Sequence, residues 1–291
     1  MPVVVKGFFL CIQKRQSFKA IYPEALKRIE PFLISKYGLV LQCKKEELRS
    51  KTIEHKHPKL IWWCWLQGLD NAPGIVKSCL SSLKENLREY EIRVIDSENW
   101  NEYIVLPEYI VKKWENKQIP PALFSDLLRL QLLIKYGGTW IDSTVLCTGN
   151  FSDNFLNADL FLFQYTPEGT TKGISISNWF ISAHSNNEVL MTLRDMLFAY
   201  WKDYNCTLDY YIFHLFFAMV AKEYPKQIAA MPYGYSMNSL VLLHHMNESF
   251  DQKKWDRLIS KVSFHKLAFR LNGEIINNKD NYYNWILNNN L

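Results

Sequence analysis

Residues Ala122 to Val145 read ALFSDLLRLQLLIKYGGTWIDSTV: an apolar run of helical length holding one carboxylate and one guanidinium, then a double glycine, then a short apolar segment holding a second carboxylate. Pro120 and Pro121 suit a helix start, Leu127 to Ile134 continues it, and Gly137-Gly138 supplies a left-handed C-terminal stop. A short strand over Thr139 to Val145 should follow. At 100° per residue, Asp126 and Arg129 lie on neighbouring rows one turn apart, while Gln131 and Lys135 fall together well round the cylinder. The Gln131/Lys135 stripe is the solvated one, which leaves Asp126 and Arg129 facing something other than bulk water. In the strand, Trp140, Asp142 and Thr144 share a face, with Asp142 near the carboxyl end, where open α/β sheets bind their ligands. Two readings stand: a ligand site, or a structural Asp126–Arg129 ion pair beside a turn-forming Asp142.

Working outward, Lys59 to Trp65, KLIWWCW, is a continuous apolar run suited to a strand buried on both faces of a parallel sheet. Gln67-Gly68 ends it. Pro73 to Asn86 has the pattern of an amphipathic helix, and Glu91 to Ile95 that of a second strand, so the segment reads as a right-handed β-α-β unit with its loops gathered at one sheet edge. Asp96 and Asn99 follow that strand directly and equally suit a plain turn. Asp159 to Tyr165 and Trp179 to Ala183 read as further strands, and Thr166 to Gly173 as a mobile loop over the site. Asn187 to Tyr204 and Asp209 to Tyr224 read as helices, with Asp209 placed as an N-cap. The pair His244-His245 has no partner at metal-ligand spacing and reads as structural. The fold class is therefore α/β, with a central, mostly parallel twisted sheet flanked by helices. The expected boundary separates a basic N-terminal accessory region (1–57) from the main domain (58–291). That region is expected to hold a short strand, a helix around Tyr22 to Lys36 and a charged segment from Lys44 to His57.

Charge is unevenly placed. The first 60 residues carry 13 Lys and Arg against 5 Asp and Glu, net +8, leaving 21 against 24, net −3, for the rest of a chain whose total is +5. Such an excess can meet an anionic membrane surface or a phosphate-bearing substrate. Lys44, Lys45, Arg49, Lys51, Lys56 and Lys59 are either a solvated face or a dock for anionic lipid headgroups. No zinc-finger spacing, RNA-binding signature or basic helix pattern points to nucleic acid. Six cysteines, at positions 11, 43, 64, 79, 147 and 206, form no C-x-x-C pair, which fits reduced thiols in a cytoplasmic protein. The N-terminal VVVKGFFLCI is too short to span a bilayer, so any membrane attachment is expected to be peripheral.

The order A-x-x-S-D-x-x-R, helix, G-G, W-I-D resembles the signature of sugar-nucleotide-dependent glycosyltransferases related to glycosyltransferase family thirty-two. Within that group it looks most like the bacterial capsular polysaccharide synthesis proteins, over about residues 58 to 270. The resemblance implies a GT-A-like nucleotide-sugar-binding domain that moves a sugar, with retention of anomeric configuration, from a nucleotide diphosphate sugar to a saccharide acceptor. The expected donor is a uridine diphosphate sugar and the expected acceptor is lipid-linked. Residue by residue, it implies that Asp126 and Arg129 contact the donor sugar and ribose, that Trp65 stacks on the nucleobase, and that Asp96 or Asn99 meets the ribose. Asn178 would bond a sugar hydroxyl, Asp209 the sugar or acceptor, and His265-Lys266 of VSFHKLAFR would return to the diphosphate. Each has a plainer alternative: Trp65 a core lid, Asn178 and Asp209 backbone caps, His265 a satisfied core residue.

Breaking an anomeric C–O bond puts negative charge on the leaving diphosphate and positive charge on the sugar, so a catalyst needs cations or a metal for one and carboxylates for the other. Relatives use D-x-D, and here Asp142-Ser143-Thr144 lacks the second acid. A divalent metal, Mn²⁺ or Mg²⁺, is still expected at Asp142 with His265, the substrate diphosphate supplying the remaining oxygens. The missing acid also suits a protein that binds sugar nucleotides without transferring them. A nucleotidyltransferase is disfavoured, since no G-x-x-x-x-G-K loop is present.

Overall fold

The computed structural model describes residues 18–50, 54–149, 154–165, 175–271 and 273–289. The expected N-terminal strand and the loop Thr166 to Gly173 lie outside the described residues. Seven strands are described: β1 (Leu60–Cys64), β2 (Glu91–Ile95), β3 (Gly138–Ile141), β4 (Val145–Cys147), β5 (Leu160–Gln164), β6 (Ile176–Ala183) and β7 (Phe264–Lys266). Five form one sheet in the order β2-β1-β3-β6-β5. β1 pairs in parallel with β2 and β3, and β6 pairs antiparallel with β3 and β5. Four strands thus run one way and β6 alone is reversed, the mostly parallel sheet expected. β4 and β7 form a separate antiparallel ribbon.

Both sheet faces are covered, which is why β1 is apolar at every position. Leu60, Trp62 and Cys64 enter one core cluster, while Ile61 and Trp63 enter the other. After the N-terminal helix α1 (Phe18–Arg49) come α2 (Gly74–Asn86), α3 (Trp100–Tyr103) and α4 (Glu108–Glu115), and the first cluster is closed by α5 (Pro121–Tyr136), α6 (Glu188–Asp203) and α7 (Ile212–Glu223). Asn187 caps α6 as its position suggests, its Oδ1 accepting from the Leu190 N–H.

The N-terminal region departs from expectation. One 32-residue helix, α1 (Phe18–Arg49), extends the expected Tyr22 to Lys36 helix at both ends and takes in the start of the charged segment. Its Ile29, Leu33, Tyr37 and Leu41 recur at four-residue spacing and are buried in the first core cluster with Trp62 and Trp140. Residues 29–41 are thus built onto the sheet through a shared core. Of the six cations named above, Lys44 pairs with Glu47 and Asp195, Lys45 with Glu223, Lys56 with Glu54 and Lys59 with Glu89. Lys51 lies outside the described residues. None of the described helices is long and apolar enough to cross a membrane.

The double glycine is required twice over. Gly137 (φ 74°) and Gly138 (φ 95°) both occupy the left-handed half of backbone space, and a Cβ on them would stand 2.3 Å from the Lys56 carbonyl and 2.4 Å from the Leu60 carbonyl. The stop lets α5 turn directly into β3 beside β1. The expected strand to Val145 breaks after Ile141: the Asp142 N–H still donates to the Trp179 carbonyl of β6, but the Val145 N–H turns back onto the Asp142 carbonyl. Asp142 therefore sits in a turn at the carboxyl end of β3, and the chain leaves the sheet to build β4.

Candidate functional site

At the carboxyl ends of β1 and β3 lies a cleft of about 590 Å³. Its wall includes Trp65, the residue after β1; Asp126 and Arg129 from α5; Asp142 and Thr144 from the turn; Asn178 from β6; and Lys266 from β7. Tyr210, His214, Phe269 and Arg270 line it as well. Apolar packing of α5 brings the floor together: Asp126 and Arg129 are 5% and 4% exposed, set among Leu127, Leu128 and Leu130, which are fully buried.

Arg129 organises the floor. Its Nη2 lies 3.3 Å from Asp126 Oδ1 and 3.4 Å from Asp142 Oδ1. The same guanidinium donates to the Ser125 carbonyl, to Ser125 Oγ and to the Asn178 carbonyl. It also lies 4.9 Å from the centre of the Trp140 ring. Only a planar five-donor group can serve so many acceptors at once. Asn178 closes the arrangement, its Nδ2 donating to Asp126 Oδ1 at 2.8 Å.

The two carboxyls are pushed in opposite directions. Burial raises Asp126 to about 7, with Arg129 opposing and Asp142 adding to the rise. Burial would raise Asp142 too, but Lys266 and Arg129, helped by the Trp140 and Lys266 hydrogen bonds, hold it below the usual carboxylate range. Trp140 Nε1 donates to Asp142 Oδ1 at 2.9 Å, and Lys266 Nζ stands 3.2 Å from Asp142 Oδ2. Lys266 Nζ also donates to Thr144 Oγ1. The result is a fixed chain Asp126–Arg129–Asp142–Lys266 along the cleft floor, in which acidic and basic side chains alternate.

At the other end, Trp65 and Phe269 meet edge to face with ring centroids 5.0 Å apart, and Phe269 is 39% exposed. The Arg270 guanidinium lies 5.2 Å from the Phe269 ring centre. An aromatic edge beside cations suits a ligand with a flat ring and an anionic tail.

Four expected site residues fall elsewhere. Asp96 Oδ1 accepts from the Glu98 and Asn99 N–H groups, and Asn99 Oδ1 accepts from the Asp96 N–H. The two cap each other's turn and neither lines the cleft. Asp209 is likewise spent on the turn before α7, accepting from the Tyr211 N–H at 2.7 Å, and the adjacent Tyr210 reaches the cleft instead. His265 follows from strand alternation: Lys266 faces the cleft, so His265 points the other way, 1% exposed, with Nε2 beside Thr148 Oγ1 at 3.3 Å. Burial pushes its imidazole down to about 4. Of the expected metal pair, Asp142 lines the cleft and His265 does not.

A resident Mn²⁺ or Mg²⁺ does not fit this donor set. Such hard cations take about six oxygens, commonly one or two carboxylates with phosphate and water supplying the rest, so the fit turns on whether a carboxylate here is free to take part. Asp142 has both its oxygens committed to cationic or N–H donors, Thr144 stands where a second acid would be, and Asp126 is held by Arg129 and Asn178. Among the described residues no group of three or more His, Cys, Asp or Glu could hold a metal ion.

Phe269 and Arg270 were legible only as the continuation of the HKL segment, and Tyr210 only as the neighbour of Asp209. No periodic pattern marks them, because irregular backbone presents all three. His214, 8% exposed and pushed down to about 3 by burial with Arg129 adding to the fall, lines the cleft as a neutral imidazole.

A family model described as "Capsular polysaccharide synthesis protein" matches residues 11–286. No curated protein sequence matches the chain. Among solved structures, one titled "PaToxG Glycosyltransferase" is similar at 15% identity, with 69% of this chain and 82% of that chain covered and a TM-score of 0.40, a likeness too slight to establish fold or activity.

Proposed function

From the premise that the chain belongs to the capsular polysaccharide synthesis protein family, we propose that it is a glycosyltransferase. It moves a hexosyl group from a nucleotide diphosphate sugar, of which a uridine diphosphate sugar is the first to test, to a saccharide acceptor. The observation that carries this reading is the single cleft in which a buried Asp126–Arg129–Asp142–Lys266 chain lies with the Trp65–Phe269 aromatic edge.

The roles follow from chemistry. Trp65 and Phe269 take the base, since any nucleobase offers a π-face. Lys266 and Arg270 meet the diphosphate, where charge grows as the anomeric bond breaks. Asp126 accepts hydrogen bonds from donor-sugar hydroxyls, and Arg129 and Asn178 hold it in place rather than touching the reacting atoms. The cleft is open on the side of Tyr210, which is 63% exposed and offers the acceptor sugar a flat apolar face. A GT-A-type domain and retention of anomeric configuration belong to this reading. So do a lipid-linked acceptor and a cytoplasmic enzyme attached peripherally to an anionic bilayer, the last resting on the +8 excess of the first 60 residues.

Thermal stabilisation by a panel of nucleotide sugars tests binding, since a ligand of the folded state alone raises the melting temperature. The expected result is stabilisation by one donor class, with transfer that Asp126→Asn abolishes without lowering the melting temperature below that of a folded enzyme. Wild-type transfer by that variant would remove Asp126 from the site. Binding without hydrolysis or transfer would favour a sugar-nucleotide-binding protein.

A further inference from the structure

We propose that this cleft holds the donor diphosphate with two side-chain cations, Lys266 and Arg270, in the place where a D-x-D site would use a divalent metal ion. The inference rests on the glycosyltransferase reading and names the electrostatics of that same site.

Two observations carry it. The first concerns Asp142, the one acid left in the Asp142-Ser143-Thr144 triplet. Its Oδ2 faces Lys266 Nζ at 3.2 Å and its Oδ1 faces Arg129 Nη2 at 3.4 Å while accepting from Trp140 Nε1. A dication ligated by this carboxylate would have to displace an ammonium and stand near a buried guanidinium, with like-charge repulsion from both in a partly desolvated floor. Lys266 Nζ is also fixed by Thr144 Oγ1, so the residue that replaces the second acid anchors the cation that replaces the metal.

The second observation is Arg270. It lies four residues beyond Lys266 and lines the same cleft, and it forms no salt bridge among the described residues. Its guanidinium rests by Phe269, which meets Trp65 edge to face. A base on the Trp65–Phe269 edge would leave its phosphates to run along the cleft that Arg270 and Lys266 both line. Arg270 is exposed and can close bidentately on phosphate oxygens, as guanidinium geometry favours.

In the transfer step the bond from the anomeric carbon to the diphosphate oxygen breaks, and its electron pair stays on that oxygen. The acceptor hydroxyl oxygen forms the new bond to the anomeric carbon, and its proton passes to the departing diphosphate. The added negative charge is met by the ammonium of Lys266 and the guanidinium of Arg270, with no redox partner or further reactant required.

The test is calorimetric binding of uridine, guanosine, adenosine and cytidine diphosphates to the full chain, in excess EDTA and again with Mn²⁺. The expected result is one nucleotide bound with the same affinity, within about twofold, in both conditions, and weakened roughly tenfold by Arg270→Ala, about the worth of one charge-assisted contact. Lys266→Ala should weaken it at least as much. Because Lys266 also balances Asp142, Arg270→Ala is the decisive variant, its side chain being exposed and outside the core. Binding that needs Mn²⁺ would overturn the inference while leaving the glycosyltransferase reading intact, as would wild-type affinity in Arg270→Ala. Failure of every diphosphate to bind, with or without Mn²⁺, would overturn both.

Discussion

Asp126 and Arg129, three residues apart on helix α5, meet at 3.3 Å with both side chains less than a tenth exposed, and Arg129 reaches on to Asp142 at 3.4 Å. One guanidinium thus serves two carboxylates inside an apolar wall. Removing it leaves two acids facing each other without their shared cation. Arg129→Met should therefore cost about 3–5 kcal/mol of stability, the usual cost of stranding buried charge, read from urea unfolding. Arg129→Lys should recover part of it, since an ammonium cannot reach the Ser125, Asn178 and carboxylate acceptors together. A loss below about 1 kcal/mol for the methionine variant, the level of a surface pair, would contradict this account of the floor.

The same burial makes stability depend on pH. Asp126 holds its proton to about 7 in the folded chain, against about 3.9 in an unfolded one. Between those values the folded state binds the extra proton, so its contribution is complete below about pH 4 and is lost as pH rises towards 7. Asp142, held low, contributes above about pH 4 and loses that contribution only below it, outside this window. Melting temperatures of wild type and Asp126→Asn should therefore converge or cross between pH 5 and pH 8, the variant faring relatively better at the higher value. Parallel curves would mean that Asp126 is ionised throughout.

How much of this was legible in the sequence depended on whether a residue's role was set locally. β1 and α5 are sustained apolar runs with glycine or proline stops, β2 is a short β-branched run that ends at Asp96, and the chain follows all three. The strand after Gly138 ended early because alternation in WIDSTV continues through a turn, closed by the Val145 N–H on the Asp142 carbonyl, that alternation alone does not reveal. Asp126, Arg129, Asp142, Asn178, Trp65 and Lys266 do converge on one cleft. Asp96, Asn99 and Asp209 do not, and all three are short polar side chains that hydrogen-bond their own backbone neighbourhood. His265 failed for a one-residue reason: adjacent strand positions face opposite sides, and Lys266 holds the cleft side.

Gly137 offers a check on the fold that is independent of function. A Cβ there would stand 2.3 Å from the Lys56 carbonyl and 2.8 Å from the Ser185 N–H nitrogen, and φ is 74°. Backbone cannot yield as a flexible side chain would. Gly137→Ala should lower stability by at least about 1–3 kcal/mol, the range for a strained left-handed residue before any clash is counted. Gly38, whose Cβ would meet nothing within 4 Å, lies mid-helix in α1, and Gly38→Ala should instead stabilise by roughly 0.5–1 kcal/mol. Thermal melts of the two variants should move in opposite directions.

The aromatic end of the cleft separates ligand contact from packing. Trp65 and Phe269 meet at 5.0 Å with planes 88° apart, so the ring of one presents its edge to the face of the other and a base can stack on the free face. If they bind the nucleobase, Trp65→Ala should weaken nucleotide binding by ~1–3 kcal/mol, the range for loss of one stacked aromatic. Trp65 is also partly buried beside the second core cluster, so that variant alone would mix stacking with packing. Phe269→Ala removes a side chain that is 39% exposed, and its melting temperature should stay near wild type, as for most surface changes. Its affinity for the nucleotide should nevertheless fall by a comparable amount. Quenching of tryptophan fluorescence on nucleotide addition gives a second readout: it should shrink in Trp65→Ala beyond the loss of one of ten indoles. Unchanged affinity in both variants would leave Trp65 as a lid on the core and move the base to another part of the cleft.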